Sequence, residues 1–309
     1  MDRSSDLNDP LSDSMKECYE NLILIDIGAN LTNKKYSRDL ESVIQRAKDA
    51  GVQKIMSTGT SVRTSKEALR LSRLFPGTIY STAGVHPHDA QSIAQSPENW
   101  DELVQIARNP ECVAIGECGL DFEKEFSDHN VQEEIFQKQL ELACDLNKPL
   151  LIHERGAQDE LLNIVSKVPK DQLPPVVIHS FTGSSEEAHK YLDAGFYLGL
   201  TGYLCKDKSD TGVRRLLQQD AMPLNRLLVH SDSPFMFPNI RASKLPENIK
   251  SCLTERSKAF LHRYCTFQRN EPCCLPAIAE ILAAFMNKTP EEVALATAFN
   301  AIKLFGLSQ

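Results

Sequence analysis

No run of about eighteen apolar residues occurs in the 309-residue sequence, so no segment reads as a membrane-spanning helix. A basic stretch leading into an apolar one, the mark of a secretory leader, does not open the chain. No Cys or His pairs stand at zinc-finger spacing. The nine cysteines are scattered, with Cys112, Cys118 and Cys144 inside predicted strands or helices. That usage favours reduced thiols in a cytoplasmic or nuclear setting, and the adjacent Cys273 and Cys274 read as structural. Positive charge is also short: 34 Lys and Arg stand against 42 Asp and Glu, a formal net charge of −8. This excludes a protein that coats nucleic acid nonspecifically. Coiled-coil and repeat patterns are missing, which leaves a monomer as the default expectation.

What the chain does have is eight short, apolar, mostly β-forming runs at intervals of roughly 20 to 35 residues. They are LILIDIGAN, KIMSTGT, YSTAGVHPHD, CVAIGECGLD, PLLIHERG, PVVIHSFTG, FYLGLTGYL and RLLVHSDSPF. Between them, segments such as RDLESVIQRAKDAG, SKEALRLSRLF, NVQEEIFQKQLELACDLN and SEEAHKYLDAG carry apolar residues at helical spacing. Alternating apolar strands and amphipathic helices imply a parallel sheet covered on its outer face, and eight such units close a (β/α)8 barrel. The expected fold is therefore α/β, a single TIM-type barrel over residues 21–309. The polar, aperiodic residues 1–20 are expected to form a disordered tail. An open, doubly wound sheet is the alternative.

The two folds differ in what they do with the strand ends. In a barrel, His86, Glu117, His153, His179 and Asp232 meet at one mouth, whereas an open sheet spreads them along an edge. A lone histidine at such a place is more often a hydrogen-bonded core residue than a ligand. Two histidines and two acids at four equivalent strand ends favour a metal site instead, and mixed imidazole and carboxylate donors suit Mg²⁺, Mn²⁺ or Zn²⁺. On the first strand Asp26, Gly28 and Asn30 share a face by period-two alternation, and a buried aspartate is costly unless paired or metal-bound. Between Ser233 and Asn270 stand seven basic residues (Arg241, Lys244, Lys250, Arg256, Lys258, Arg263, Arg269) and two acidic ones (Glu247, Glu255). Following the last strand, this segment is expected either to rim the mouth with positive charge for a phosphodiester or to be an ordinary solvated loop.

The motifs GVHPHD (84–89), IGECGLD (115–121), HSFTG (179–183), SDSPF (231–235) and RNEP (269–272), in this order, resemble the TatD family of metal-dependent deoxyribonucleases from about Leu22 to Leu307. The resemblance implies a metal-dependent hydrolase barrel that cleaves DNA phosphodiester bonds, often as a 3′–5′ exonuclease in DNA repair or degradation, with RNA as a further substrate. Matched residue by residue, it implies one or two divalent ions, Mg²⁺ foremost, held by Glu117, His153, His179 and Asp232, with Asp26 and His86 as further candidates. Glu117 and Asp232 are the implied catalytic groups, taking the proton of the attacking water. Substrate contacts fall to His86, His88, Asp121, Arg155 and Asn30.

Two departures stand out. Many relatives carry Asp-x-His-x-His on the first strand, where this chain has Gly28 and Asn30 and so resembles the narrower Asp-Ile-Gly-x-Asn group. Fewer ligands suit Mg²⁺, which keeps several waters, better than Zn²⁺. His230 stands where the family usually has glutamate, and is expected to support a ligand rather than be one. Other classes stay open: an amide or lactone hydrolase on the same barrel, disfavoured because no Lys occupies a strand end, and a catalytically silent nucleic-acid-binding protein.

Overall fold

The computed structural model describes residues 22–124, 126–207 and 211–307, so the expected tail at 1–20 lies outside the described residues. Eight parallel strands pair in sequence order: β1 (Leu24–Ala29), β2 (Val52–Ser57), β3 (Ile79–Ala83), β4 (Cys112–Asp121), β5 (Leu150–Arg155), β6 (Val176–Ile178), β7 (Tyr197–Leu200) and β8 (Leu227–Val229). Each of the eight apolar runs supplies one of them. Helices follow in chain order: α1 (Leu40–Asp49), α2 (Val62–Leu74), α3 (Ala90–Ala94), α4 (Pro97–Ala107), α5 (His129–Leu146), α6 (Gln158–Ser166), α7 (Ser185–Asp193) and α8 (Val213–Gln218). After β8 come α9 (Glu247–Ser251), α10 (Glu255–Tyr264), α11 (Leu275–Phe285) and α12 (Pro290–Phe305). No helix among the described residues is long and apolar enough to cross a membrane.

The larger core lies between strands and helices and includes Leu24, Ile55, Ile115 and Leu150 with Ile44, Leu71 and Phe136. A smaller buried cluster gathers Met56, Leu151, Val177 and Leu228 with Ala298, Ala301 and Phe305 of α12. The barrel closes between β8 and β1 through hydrogen bonds beyond the regular ladder. Asp232 N donates to Gly28 O at 3.0 Å and Asn30 N to Ser233 O at 2.8 Å. Asp26, fully buried, accepts from Gly28 N at 3.2 Å and Ser231 N at 3.0 Å through one carboxylate oxygen.

The loop after β8 is clamped from outside. Asn270 donates through its side chain to Ser231 O (3.2 Å) and Phe235 O (2.9 Å), and through its backbone to Pro234 O (3.1 Å). Its neighbour Glu271 is fully buried and accepts from Arg46 on α1 at 2.7 and 2.9 Å. Arg269 bridges Glu271 to Asp39, whose carboxylate it meets at 2.7 Å. The RNEP motif is thus an ionic and amide clamp that ties the β8 loop to α1.

Five of the seven basic residues after β8 have partners within the protein. Arg269 is spent in the clamp. Arg256 donates to Asp49 O at the end of α1, just before β2 and therefore at the far end of the barrel from the strand C-termini. Lys250 and Lys258 pair with Glu247 and Glu255 three residues earlier, and Arg263 stacks on Tyr264. The segment runs from the mouth to the opposite end and back, and proximity in sequence to β8 does not say at which end a given residue lies.

Replacing Glu271 with alanine would leave two guanidinium groups facing an emptied, buried position. The expected loss is about 3 kcal/mol, the low end for breaking a buried ion pair because both arginines keep some solvent contact. It would be read as a lower urea midpoint at unchanged slope, and an unchanged midpoint would contradict the clamp.

Candidate active site

At the strand C-termini one carboxylate collects three imidazoles. Glu117 Oε1 on β4 lies 3.4 Å from His153 Nδ1 on β5, 3.3 Å from His179 Nδ1 after β6, and 3.9 Å from His86 Nε2 after β3. Asp121, at the end of β4, forms a second node: its Oδ2 is 2.7 Å from His88 Nε2 and 3.3 Å from His153 Nε2. Its other oxygen accepts the backbone N–H groups of Glu123 (3.1 Å) and Lys124 (2.9 Å), which fixes the loop that follows. His153 therefore lies between two carboxylates, one at each ring nitrogen. Asp232 lines the same cavity with Glu117, His153, His179 and Tyr203, and its charge acts on His179.

The electrostatics follow from burial and charge pairing. Burial alone would raise the Glu117 carboxyl, but His179, His153 and His86 override it and hold the group well below the usual carboxylate range. His153 resists burial through Asp121 and Glu117 and is raised to about 9. Asp232 and Asp26, buried without a strong partner, are pushed up to about 7 and about 6. Burial lowers His86 to about 3.

Two residues that shape the cluster make no charge contact of their own. A Cβ on Gly28 would collide with Nε2 of His179, so the missing side chain on β1 is what gives that ring its place. His230 is fully buried and stacks on His179 with ring centroids 4.1 Å apart. Its Nε2 accepts from Ser180 N at 3.1 Å and sits 2.9 Å from Ser180 Oγ, which makes it a neutral support, with burial and His179 holding it well below its ordinary pKa. Asp232 (φ 47°) and Ser180 (φ 52°) both take the left-handed conformation that non-glycine residues rarely adopt, a strain that surrounding hydrogen bonds maintain.

The structure brings together His86, His88, Glu117, Asp121, His153 and His179, with Asp232 on the same cavity. Asp26 spends one oxygen on the β1–β8 seam, and its other, Oδ2, is buried without a partner. Asn30 stands just past the end of β1 at Ala29, beyond a shift of pairing register between Asp26 and Ala29, and its backbone N–H donates to Ser233 O on the β8 loop. Its side chain bonds Thr32 at 3.0 Å. Arg155 lines the cavity wall but is paired with Glu123 at 2.6 Å. Tyr203, Ser180 and Met236, all on the cavity, carry no sequence signal that singles them out.

The donor set suits a divalent ion. Both ring nitrogens of His179 are buried without a hydrogen-bond partner, and its Nδ1 points at a carboxylate held ionised. His86, His88 and His153 also place ligand atoms within 4.8 Å of one another. In that trio, however, His88 and His153 each already have Nε2 on Asp121, whereas His179 and Glu117 have no competing hydrogen bond between them.

Residues 25–306 match the family described as TatD related DNase. The chain belongs to this family. Among curated relatives, the 3′-5′ ssDNA/RNA exonuclease TatD of Salmonella typhimurium is 37% identical over 282 residues, 91% of this chain and 98% of the relative. The protein of the same name from a Pantoea species is 38% identical over 286 residues, covering 92% of this chain and 100% of the relative. The crystal structure of a TatD homologue from Escherichia coli superimposes with a TM-score of 0.74 at 25% identity, over 92% of this chain and 98% of that one. A hydrolase TatD family protein from Entamoeba histolytica shares the fold at a TM-score of 0.80 and 24% identity, over 93% and 99% of the two chains. TatD-family membership makes the chain a hydrolase of the metal-dependent class.

Gly28→Ala should displace the His179 ring and weaken Mn²⁺ binding roughly 10- to 100-fold, the range seen when groups that orient ligands are disturbed. Calorimetric titration checks it, and unchanged affinity would remove His179 from the ligand set. The metal-free protein should also lose stability as pH rises from 7 to 9. His153, with its folded value near 9 against an ordinary 6.5, contributes stability that is complete below about 6.5 and lost as pH passes 9. His86 and His230 are neutral in both states over that window and do not offset it. Thermal melts in EDTA across this range would show a falling midpoint, and a flat profile would contradict the placement of His153 between two carboxylates.

Proposed function

We propose that this protein is a divalent-metal-dependent deoxyribonuclease that removes nucleotides from single strands in the 3′–5′ direction, with RNA as a second substrate. The observation that carries the reading is Glu117, a buried carboxylate surrounded by three imidazoles at the ends of neighbouring barrel strands and held ionised by His153 and His179. The curated relatives' names add the substrate class and direction. A part in DNA degradation or repair belongs to the same proposal. The described cysteines are all free, in keeping with a cytoplasmic or nuclear setting.

We assign the ion to Glu117, His153, His179 and Asp232, with Asp26 and His86 beside them. With Gly28 and Asn30 in place of two histidines the site offers few protein donors, which favours Mg²⁺ over Zn²⁺, with Mn²⁺ an effective substitute. The chemistry such an ion supplies when bound is charge neutralisation at the phosphate and a more acidic water. The residues do the rest. Asp232 would take the proton of the attacking water, with Glu117 as the alternative acceptor. His86 and His88, the latter oriented by Asp121, present ring N–H groups toward the phosphate oxygens. Arg155 offers a cation on the cavity wall.

The test is hydrolysis of 5′-end-labelled single-stranded DNA. The expected result is a ladder of stepwise shorter products that disappears with EDTA, returns with Mg²⁺ or Mn²⁺, and is lost in Glu117→Ala and Asp232→Ala. Hydrolysis of amide or lactone esters with no cleavage of DNA under any metal would overturn the reading.

A further inference from the structure

Among the described residues, four phenylalanines are exposed, and three of them stand around the mouth: Phe126 (67% exposed), Phe235 (51%) and Phe267 (60%). Phe126 follows β4 and leans against His88 with ring centroids 4.7 Å apart. Phe235 follows β8, three residues after Asp232, and carries Lys35 Nζ 5.8 Å from its ring centroid. Phe267 sits among loops that leave β1, β7 and β8. Lys206 Nζ lies 5.6 Å from its ring, Phe237 packs edge-on against it at 5.1 Å, and Lys35 donates to the neighbouring Gln268 carbonyl. In a closed barrel of eight strands in sequence order, β4 and β8 are diametrically opposite. The Glu117 cluster therefore lies between Phe126 on one side and Phe235 with Phe267 on the other.

Scattered exposed apolar residues are ordinary on a protein surface, but exposed rings grouped around the rim of a polar cavity mark a contact surface. Here each ring on the β8 side has an ammonium group beside it, so a ligand that covers the rings must tolerate cations at its edge. Unpaired nucleotides meet both conditions: a base offers a flat face to the ring, and the adjoining phosphate offers a negative charge to the lysine. Paired bases cannot do so, since their faces are already stacked within the duplex.

We propose that Phe126, Phe235 and Phe267 form a base-stacking track for a single-stranded nucleic acid lying across the barrel mouth. Phe126 takes the base on one side of the reacting phosphate. Phe235 and Phe267 take successive bases on the other, with Lys35 and Lys206 on the phosphates between them. The inference rests on the reading of the substrate as a nucleic-acid strand. It adds which side chains select single strands, and it implies tolerance of base identity, since every base has a face to stack.

Binding, read apart from cleavage, separates the two. Fluorescence anisotropy in Ca²⁺ would compare a labelled oligothymidylate with an oligonucleotide of the same length and charge made of abasic residues. The wild type should prefer the oligothymidylate by roughly fivefold to a hundredfold, the worth of a single stacked base or more. Phe235→Ala, Phe267→Ala and Phe126→Ala should each erode that preference and bind the abasic strand as before, while Phe235→Trp and Phe267→Trp keep it. Equal binding of both oligonucleotides by the wild type, or alanine variants that retain the full preference, would overturn the track. A protein that prefers bases in this way yet cleaves no strand with any metal would sustain the track and overturn the nuclease reading.

Discussion

Everything at the mouth of this barrel is arranged around the ionised carboxylate of Glu117. A charge buried in a protein must be compensated, and here the compensation comes from His153 and His179, contributed by two different strand ends, with His86 a neutral neighbour. The same requirement propagates outward. His153 needs Asp121 at its far nitrogen, and Asp121 in turn orients His88. His179 needs the space that Gly28 leaves and the flat support of His230. A site built this way is preorganised for a cation, because the ligands are held by one another and by the barrel before any ion arrives.

The closing seam of the barrel serves that site directly. Asp232 belongs to the loop that joins β8 to β1, in a backbone conformation that non-glycine residues rarely adopt. Asp26 fastens the loop from below, through Ser231 N, and Asn270 fastens it from outside through Ser231 O and Phe235 O. Glu271 then anchors Asn270 to α1 through Arg46. An ionic network well away from the cavity thereby sets the position of a residue within it, and Phe235, on the same loop, shares the constraint.

The fold was legible because its signal is repeated: eight apolar runs, seven of them leading into a metal-capable or polar side chain, alternate with helical spacing, which favoured a barrel over an open doubly wound sheet. The members of the cluster were legible for the same reason, as imidazoles and carboxylates at equivalent strand ends. Asn30 was read from strand alternation alone, which carries no sign of the register shift between Asp26 and Ala29. The basic residues after β8 left two readings open, a rim or an ordinary loop, because sequence order says when a segment leaves the mouth but not when it reaches the other end, where Arg256 meets Asp49. The Asp39–Arg46–Glu271–Arg269 network was invisible, since each member looks like an ordinary surface charge until α1 and the RNEP segment are packed together. The exposed phenylalanines lie in loops, where periodicity says nothing about burial.

The central claim is that Glu117, and not the neighbouring histidine trio, is the centre of the metal site. A crystal structure of the protein soaked in Mn²⁺, with an anomalous difference map recorded at the manganese edge, tests this most directly. The account predicts a peak in contact with Glu117, His153, His179 or Asp232, absent from Glu117→Ala crystals treated in the same way. A peak confined to His86, His88 and His153 that persists in the variant would contradict it.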